Sequence, residues 1–192
     1  LATGRPFGEK WIDFRQKSVY LSDRDGIKHT VVPSQGDFLM VEFGVASRTD
    51  VAKITLKSAP DRPGIGARVF GALWSYDINV ELVSSTSGME QGQDITLVVG
   101  KDHLNPAILK LNKIKEEIEA KDLLVDHDVA IISVTLSGIS NTPGVGARIF
   151  SALSKAGINV EAVCSSTNAV SCVVREKDVQ RAEEALRREL AG

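Results

Sequence analysis

Cysteine, histidine and aromatic residues are scarce in this sequence, with two Cys, three His and 5% aromatics among 192 residues. Cys164 and Cys172 are eight apart, a spacing that suits neither a CxxC redox pair nor half of a zinc site. They read as buried, reduced thiols, which favours a reducing compartment such as the cytoplasm. His29, His103 and His127 are scattered without ligand spacing and read as exposed side chains, so no metal site is expected. One sign of charge does not dominate: 23 basic and 25 acidic residues leave a net charge of −2. That balance offers no basic footprint for nucleic acid and no polybasic membrane patch. No apolar run approaches the roughly 20 residues of a spanning helix. Leu1 to Phe7 is too short and polar for a secretory leader, and a start at Leu rather than Met suits a fragment or a processed product.

What the sequence does have is a repeat. Asp61 to Val83, DRPGIGARVFGALWSYDINVELV, returns 80 residues later at Asn141 to Val163 as NTPGVGARIFSALSKAGINVEAV, with 13 of 23 positions identical. In each copy a Pro-Gly pair opens a helix, because Pro presets φ and needs no N–H partner in the first turn. A helical apolar stripe follows, Ile65, Val69, Ala72, Leu73 and Tyr76, then Val145, Ile149, Ala152, Leu153 and Ala156. Asp77 and Gly157 close the helices. The β-branched runs that begin at Ile78 and Ile158 read as strands.

The first copy extends to β (50–59), α (63–76), β (78–86), β (94–99), α (103–120) and β (122–126). The second runs β (128–138), α (143–156), β (158–166), β (169–174) and α (177–190), and lacks a last strand. This order predicts an α+β protein of two ferredoxin-like βαββαβ units. Phe38 to Ala46 is an unassigned strand. It either crosses over to complete the second unit, which makes that unit discontinuous, or forms a hairpin with Val51 to Ala59. The expected division is a first unit at 47–127, a second at 38–46 plus 128–192, and an extension at 1–37, where a hairpin from Ser18 to Val32 turns at Asp25-Gly26.

A Pro-Gly turn opening a helix exposes the N–H groups of Ile65, Gly66 and Ala67, or of Val145, Gly146 and Ala147, at the positive end of the helix dipole. Such a nest suits a carboxylate. Asp61 or Asn141 precedes the turn, and Asn79 or Asn159 begins a strand expected to return beside it, offering acceptors for an ammonium group. The pair describes a free α-amino acid. The competing reading is that Asp61 and Asn141 cap helices while Asn79 and Asn159 hold turns. Neither Gly-rich segment is a GxGxxG or P-loop motif, because Val69 and Ile149 replace the third glycine. Glu81 and Glu161 occupy equivalent places in separate copies, not an acid–base pair. No catalytic constellation and no cofactor motif is present. Trp11 and Trp74 read as packing residues or interface anchors.

These segments, from VASRTDVAKITLKSAPDRPGIGARVFGAL and INVELVSSTSG to NTPGVGARIFSALSKAGINVEAV and SCVVREKDVQRAEEALRREL, resemble the tandem ACT-domain regulatory region of aspartate kinase over about residues 38–190. Residues 1–37 show no such match by inspection. The resemblance implies a second unit completed by a strand from before the first, and a homodimer joined through ACT units. It also implies binding of a product such as lysine or threonine, and control of a kinase domain or catalytic subunit. The implicated positions are Asp61, Pro63, Gly64, Ile65, Asn79, Val80 and Glu81, with Asn141, Pro143, Gly144, Val145, Asn159, Val160 and Glu161. The nucleotide motif of the kinase is absent. Ser85-Thr86 and Ser165-Ser166-Thr167-Asn168 depart from the family pattern.

Overall fold

The computed structural model describes residues 9–13, 18–22, 28–34, 37–87, 92–136 and 144–190. The first half of the repeat builds a four-stranded antiparallel sheet from β5 (Val51–Ala59), β6 (Leu82–Ser87), β7 (Gln93–Gly100) and β8 (Asp122–Asp126) in the order β6-β7-β5-β8. Ala52, Ile54 and Leu56 alternate with Lys53, Thr55 and Lys57, so one face of β5 is apolar. That face packs against α1 (Ile65–Trp74) and α2 (Leu104–Ile118) in a core with Val69, Leu73, Leu97, Leu111 and Ile118.

The second half repeats the arrangement with β9 (Val129–Leu136), β10 (Ala162–Ser165), β11 (Ala169–Arg175), α3 (Val145–Lys155) and α4 (Val179–Leu190). Its core holds Ile132, Val134, Ile149, Leu153, Cys172 and Leu186. The strand it lacks is β4 (Asp37–Arg48), which pairs antiparallel with β9 from Phe43↔Leu136 to Arg48↔Ile131. The crossover is therefore the outcome, and no pairing joins β4 to β5.

This sheet has seven strands rather than four. β1 (Glu9–Asp13), β2 (Ser18–Ser22) and β3 (Lys28–Ser34) form an antiparallel meander onto β4, giving β1-β2-β3-β4-β9-β11-β10. The expected hairpin is present in the pairing Leu21↔His29, while its turn at Asp25-Gly26 lies outside the described residues. With β9 on one edge of β4, the meander satisfies the backbone groups on the other.

Both INV runs depart from expectation. β6 begins at Leu82 and β10 at Ala162, so 78–81 and 158–161 are not strand. Each run is a helix exit instead. Asp77 turns left-handed at φ 55° and Gly157 at φ 67°, after which the N–H groups of Ile78 and Ile158 donate back to Leu73 and Leu153 at 3.1 and 2.9 Å. Burying Ile78 and Ile158 against the helix ends outweighs their strand propensity. The repeat also slips by two residues. Asp50-Val51-Ala52 corresponds to Asp128-Val129-Ala130, since Asp50 and Asp128 accept equivalent bonds from Lys101 and Glu176. That spacing is 78, against 80 at the Pro-Gly turn.

The faces of the two sheets turned away from the helices meet through Val51, Leu82, Val98, Val129, Ile131 and Val173. Charges surround this apolar contact. Lys53 of β5 bonds Glu161 and lies 3.3 Å from Asp126, while Arg175 reaches Asp126 at 2.9 Å and Glu161 at 2.5 Å. Burial of Asp126 opposes its ionisation, but the N–H of Asp128 and the Lys53 ammonium outweigh it and hold the carboxyl below its ordinary value.

Candidate functional site

The Pro-Gly turn of the first copy is held from behind by side chains that the sequence did not single out. Gln93 Nε2 donates to the Pro60 carbonyl at 3.4 Å, and Gln93 Oε1 accepts from Ser85 Oγ at 2.6 Å. Asp94 bonds Lys57 and accepts the Ser58 N–H at 2.9 Å, where β5 bulges between Leu56 and Ala59. A polar residue facing a bulge would have been the available signal.

Gly64 then adopts φ 94° and ψ −13°, and α1 begins with no side-chain cap and no acid in its first turn. Asp61 is exposed and does not cap the helix, so the capping reading fails in this copy. Pro63, Gly64, Gly66 and Ala67 are exposed, while the Ile65 side chain is buried and contributes only its backbone. The second copy matches. Gly144 has φ 91° and ψ −10°, α3 is likewise uncapped, Ala147 is exposed, Gly146 half-buried and Val145 buried. Asn141 and Pro143 lie outside the described residues.

Asn79 and Asn159 do not return to these turns. They follow the far ends of α1 and α3, about 15 Å along a ten-residue helix from the glycines. There they line two open grooves. One is formed by Phe70, Leu73, Trp74, Asp77, Ile78, Asn79 and Val80, the other by Phe150, Leu153, Ser154, Gly157, Ile158, Asn159 and Val160. Every lining position of one corresponds to the other at the spacing of the repeat, and the volumes are about 390 and 590 Å³. Val80 and Val160 pack against the two cores. Trp74 is 83% exposed, so it is not a packing residue, and Lys110 stands 3.5 Å over the Tyr76 ring. Each groove adjoins the strand, β6 or β10, that ends its sheet.

Glu81 and Glu161 are turned toward the junction of the sheets. Glu81 meets Arg48 at 2.6 Å and accepts from Asn79 at 3.0 Å, and Glu161 bonds Lys53 and Arg175. The larger cleft, about 800 Å³, lies at that junction among Thr49, Asp128, Arg175, Glu176, Lys177, Val179 and Gln180. Arg175 and Glu176 are already engaged there, the latter by Lys101 at 3.0 Å, so the cleft presents few free groups. Among the described residues no cluster of His, Cys, Asp or Glu could hold a metal, and no helix is long and apolar enough to cross a membrane. Cys172 is buried as expected, but Cys164 is exposed because it lies on edge strand β10.

Two antiparallel sheets, each carrying a helix pair on one face and a repeated glycine-led helix start, define an α+β protein of tandem ACT type. Residues 132–190 match the family model described as an ACT domain. The chain is 30% identical to the regulatory subunit of aspartate kinase from Thermus thermophilus, with a TM-score of 0.71, covering 76% of this chain and 96% of that one. It resembles a chain of the aspartokinase alpha and beta subunit structure with the same TM-score at 25% identity, covering 98% of that chain. The chain belongs to the family of aspartate kinase ACT regulatory regions. Aspartokinase from Mycobacterium tuberculosis is 34% identical over 170 residues, 86% of this chain and 40% of that protein. An alignment of that length takes in part of residues 1–37. The chain spans about a third to two fifths of the length of the curated relatives it matches.

Proposed function

We propose that this chain is an amino-acid sensor that controls an aspartate kinase-type catalytic domain or subunit, taking a pathway product such as lysine or threonine as effector. The observation that carries the reading is the paired placement, in both copies, of an uncapped helix start at one end of α1 or α3 and a groove at the other. Within one copy these half-sites are about 15 Å apart, too far for one small zwitterion. Two copies meeting antiparallel along their open edge strands would set the glycine turn of one beside the groove of the next. The turn then supplies N–H groups to a carboxylate, and Asn79 or Asn159 supplies polar groups to the ammonium end. Val83 and Val163, on β6 and β10, are exposed, as are Phe70 and Phe150 on α1 and α3, which suits a homodimer formed through these edges.

In this reading the ACT units are 47–127 and 38–46 plus 128–192, residues 1–37 are an extension, no cofactor takes part, and the protein works in the cytoplasm. A differential affinity worth about 1–3 kcal/mol between two arrangements suffices for a 5- to 150-fold response. The near-complete cover of separate regulatory-subunit chains favours a second form of the same reading, in which the chain acts on another polypeptide. Thermal melting with added lysine or threonine tests the sensor. A rise in Tm is expected at millimolar concentration, and no shift with either amino acid would remove the reading.

A further inference from the structure

Glu81 touches both the groove beside α1 and the opposite sheet. Its Oε1 accepts the Nδ2–H of Asn79 at 3.0 Å, and Asn79 lines the groove. The same oxygen meets Arg48 Nη1 at 2.6 Å, and Arg48 ends β4, where it pairs with Ile131 in the seven-stranded sheet. The contacts continue. Arg48 Nε donates to Asp50 at 2.9 Å, the Asp50 carbonyl accepts the Lys101 N–H at 2.8 Å, and Lys101 reaches Glu176 at 3.0 Å. Polar contacts, carried in turn by the side chains and the backbone of Asp50 and Lys101, thus link a groove in one sheet to Glu176 of the other.

Glu161 repeats the design in reverse. It stands two residues after Asn159, which lines the second groove, and it bonds Lys53 on β5 of the four-stranded sheet. Each glutamate, two residues after a groove asparagine, therefore meets a base carried by the other sheet, although Glu161 also holds Arg175 of its own. Residues that merely finished a helix exit would have no reason to cross the junction reciprocally.

We propose that Glu81, with Glu161 as its counterpart, is a coupling residue that ties the loop lining its groove to the fit between the two sheets. A ligand seated in the groove repositions Asn79 and with it the bond that Asn79 donates to Glu81, and each Arg48 contact that Glu81 then gives up loosens the junction. Coupling is reciprocal, so loosening the junction also changes the groove. This mechanism rests on the sensor reading above, but the link between Arg48 and residues 78–81 is testable without any ligand.

Hydrogen exchange on the full chain reads both ends. Arg48→Met, although on the other sheet, is expected to raise amide exchange at 78–81 by about threefold or more, with the β7 amides unchanged as internal reference. Glu81→Gln should do the same, the double variant should add little to either single, and Arg48→Lys should restore most of the protection. An Arg48→Met protein whose 78–81 amides exchange like wild type, or a strictly additive double, overturns the coupling. Lysine and threonine then serve as probes. Protection at 78–81 with altered exchange at 129–131 is expected in wild type, and Glu81→Gln should keep the first and lose the second. Loss of binding in Glu81→Gln would make Glu81 a ligand contact instead and overturn the proposal. If neither amino acid protects 78–81 in wild type, the sensor reading falls and the Arg48→Met comparison alone decides the coupling.

Discussion

Gly64 and Gly144 hold the same left-handed backbone, φ 94° with ψ −13° and φ 91° with ψ −10°, at the starts of α1 and α3. A Cβ at either would meet nothing within 4 Å, so the requirement for glycine is conformational and not steric. Gly64→Ala and Gly144→Ala are each expected to cost about 1–2 kcal/mol. Gly66→Ala, two residues on and free of close neighbours, should instead gain about 0.5 kcal/mol. Urea unfolding checks all three, and equal losses at 64 and 66 would remove the conformational explanation.

Acid should weaken the fold through Asp94 and Asp126. Lys57 and the Ser58 N–H lower the Asp94 carboxyl below its ordinary 3.8, and Asp126 is lowered as described above. Both folded-state values lie below the unfolded ones. Their contribution is therefore complete above about pH 4 and is lost as pH falls further through the folded values. Asp126→Asn should cost about 1.5–3 kcal/mol near neutral pH and flatten the acid limb of a Tm-against-pH curve. An unchanged acid limb in that variant would refute the assignment.

The two thiols should differ sharply in reactivity. Cys164 is exposed, whereas Cys172 is 2% exposed and its thiol is pushed up to about 11 by burial. Ellman's reagent is expected to titrate at most one thiol in the folded protein, Cys164, and Cys172 only on unfolding. Fast reaction of both in the folded protein would contradict the packing of β11 against α3 and α4.

Much of the fold was legible along the chain because its determinants are local. The stripe from Ile65 to Leu73 and the alternation at Ala52, Ile54 and Leu56 each specify an element and its buried face within a few residues. Counting strands also pointed to the segment of β4 as one that could complete the second unit. The INV runs misled because a β-branched residue carries the same local signal whether it pairs in a ladder or plugs a helix end. Cys164 misled because edge and centre strands read alike.

For the candidate site the division is sharper. Repetition of the Pro-Gly pair was enough to locate two glycine-led helix starts, since a turn of that kind depends only on neighbouring φ angles. The fate of Asn79, Glu81 and Glu161 depended on tertiary structure. Glu81 finds Arg48, and Glu161 finds Lys53, across sheets whose approach is governed by burial of Val51, Val98, Ile131 and Val173, while Arg175 reaches Glu161 from the same sheet. Charges take their partners from whatever the apolar surfaces bring near, and that is written nowhere in the residues beside them.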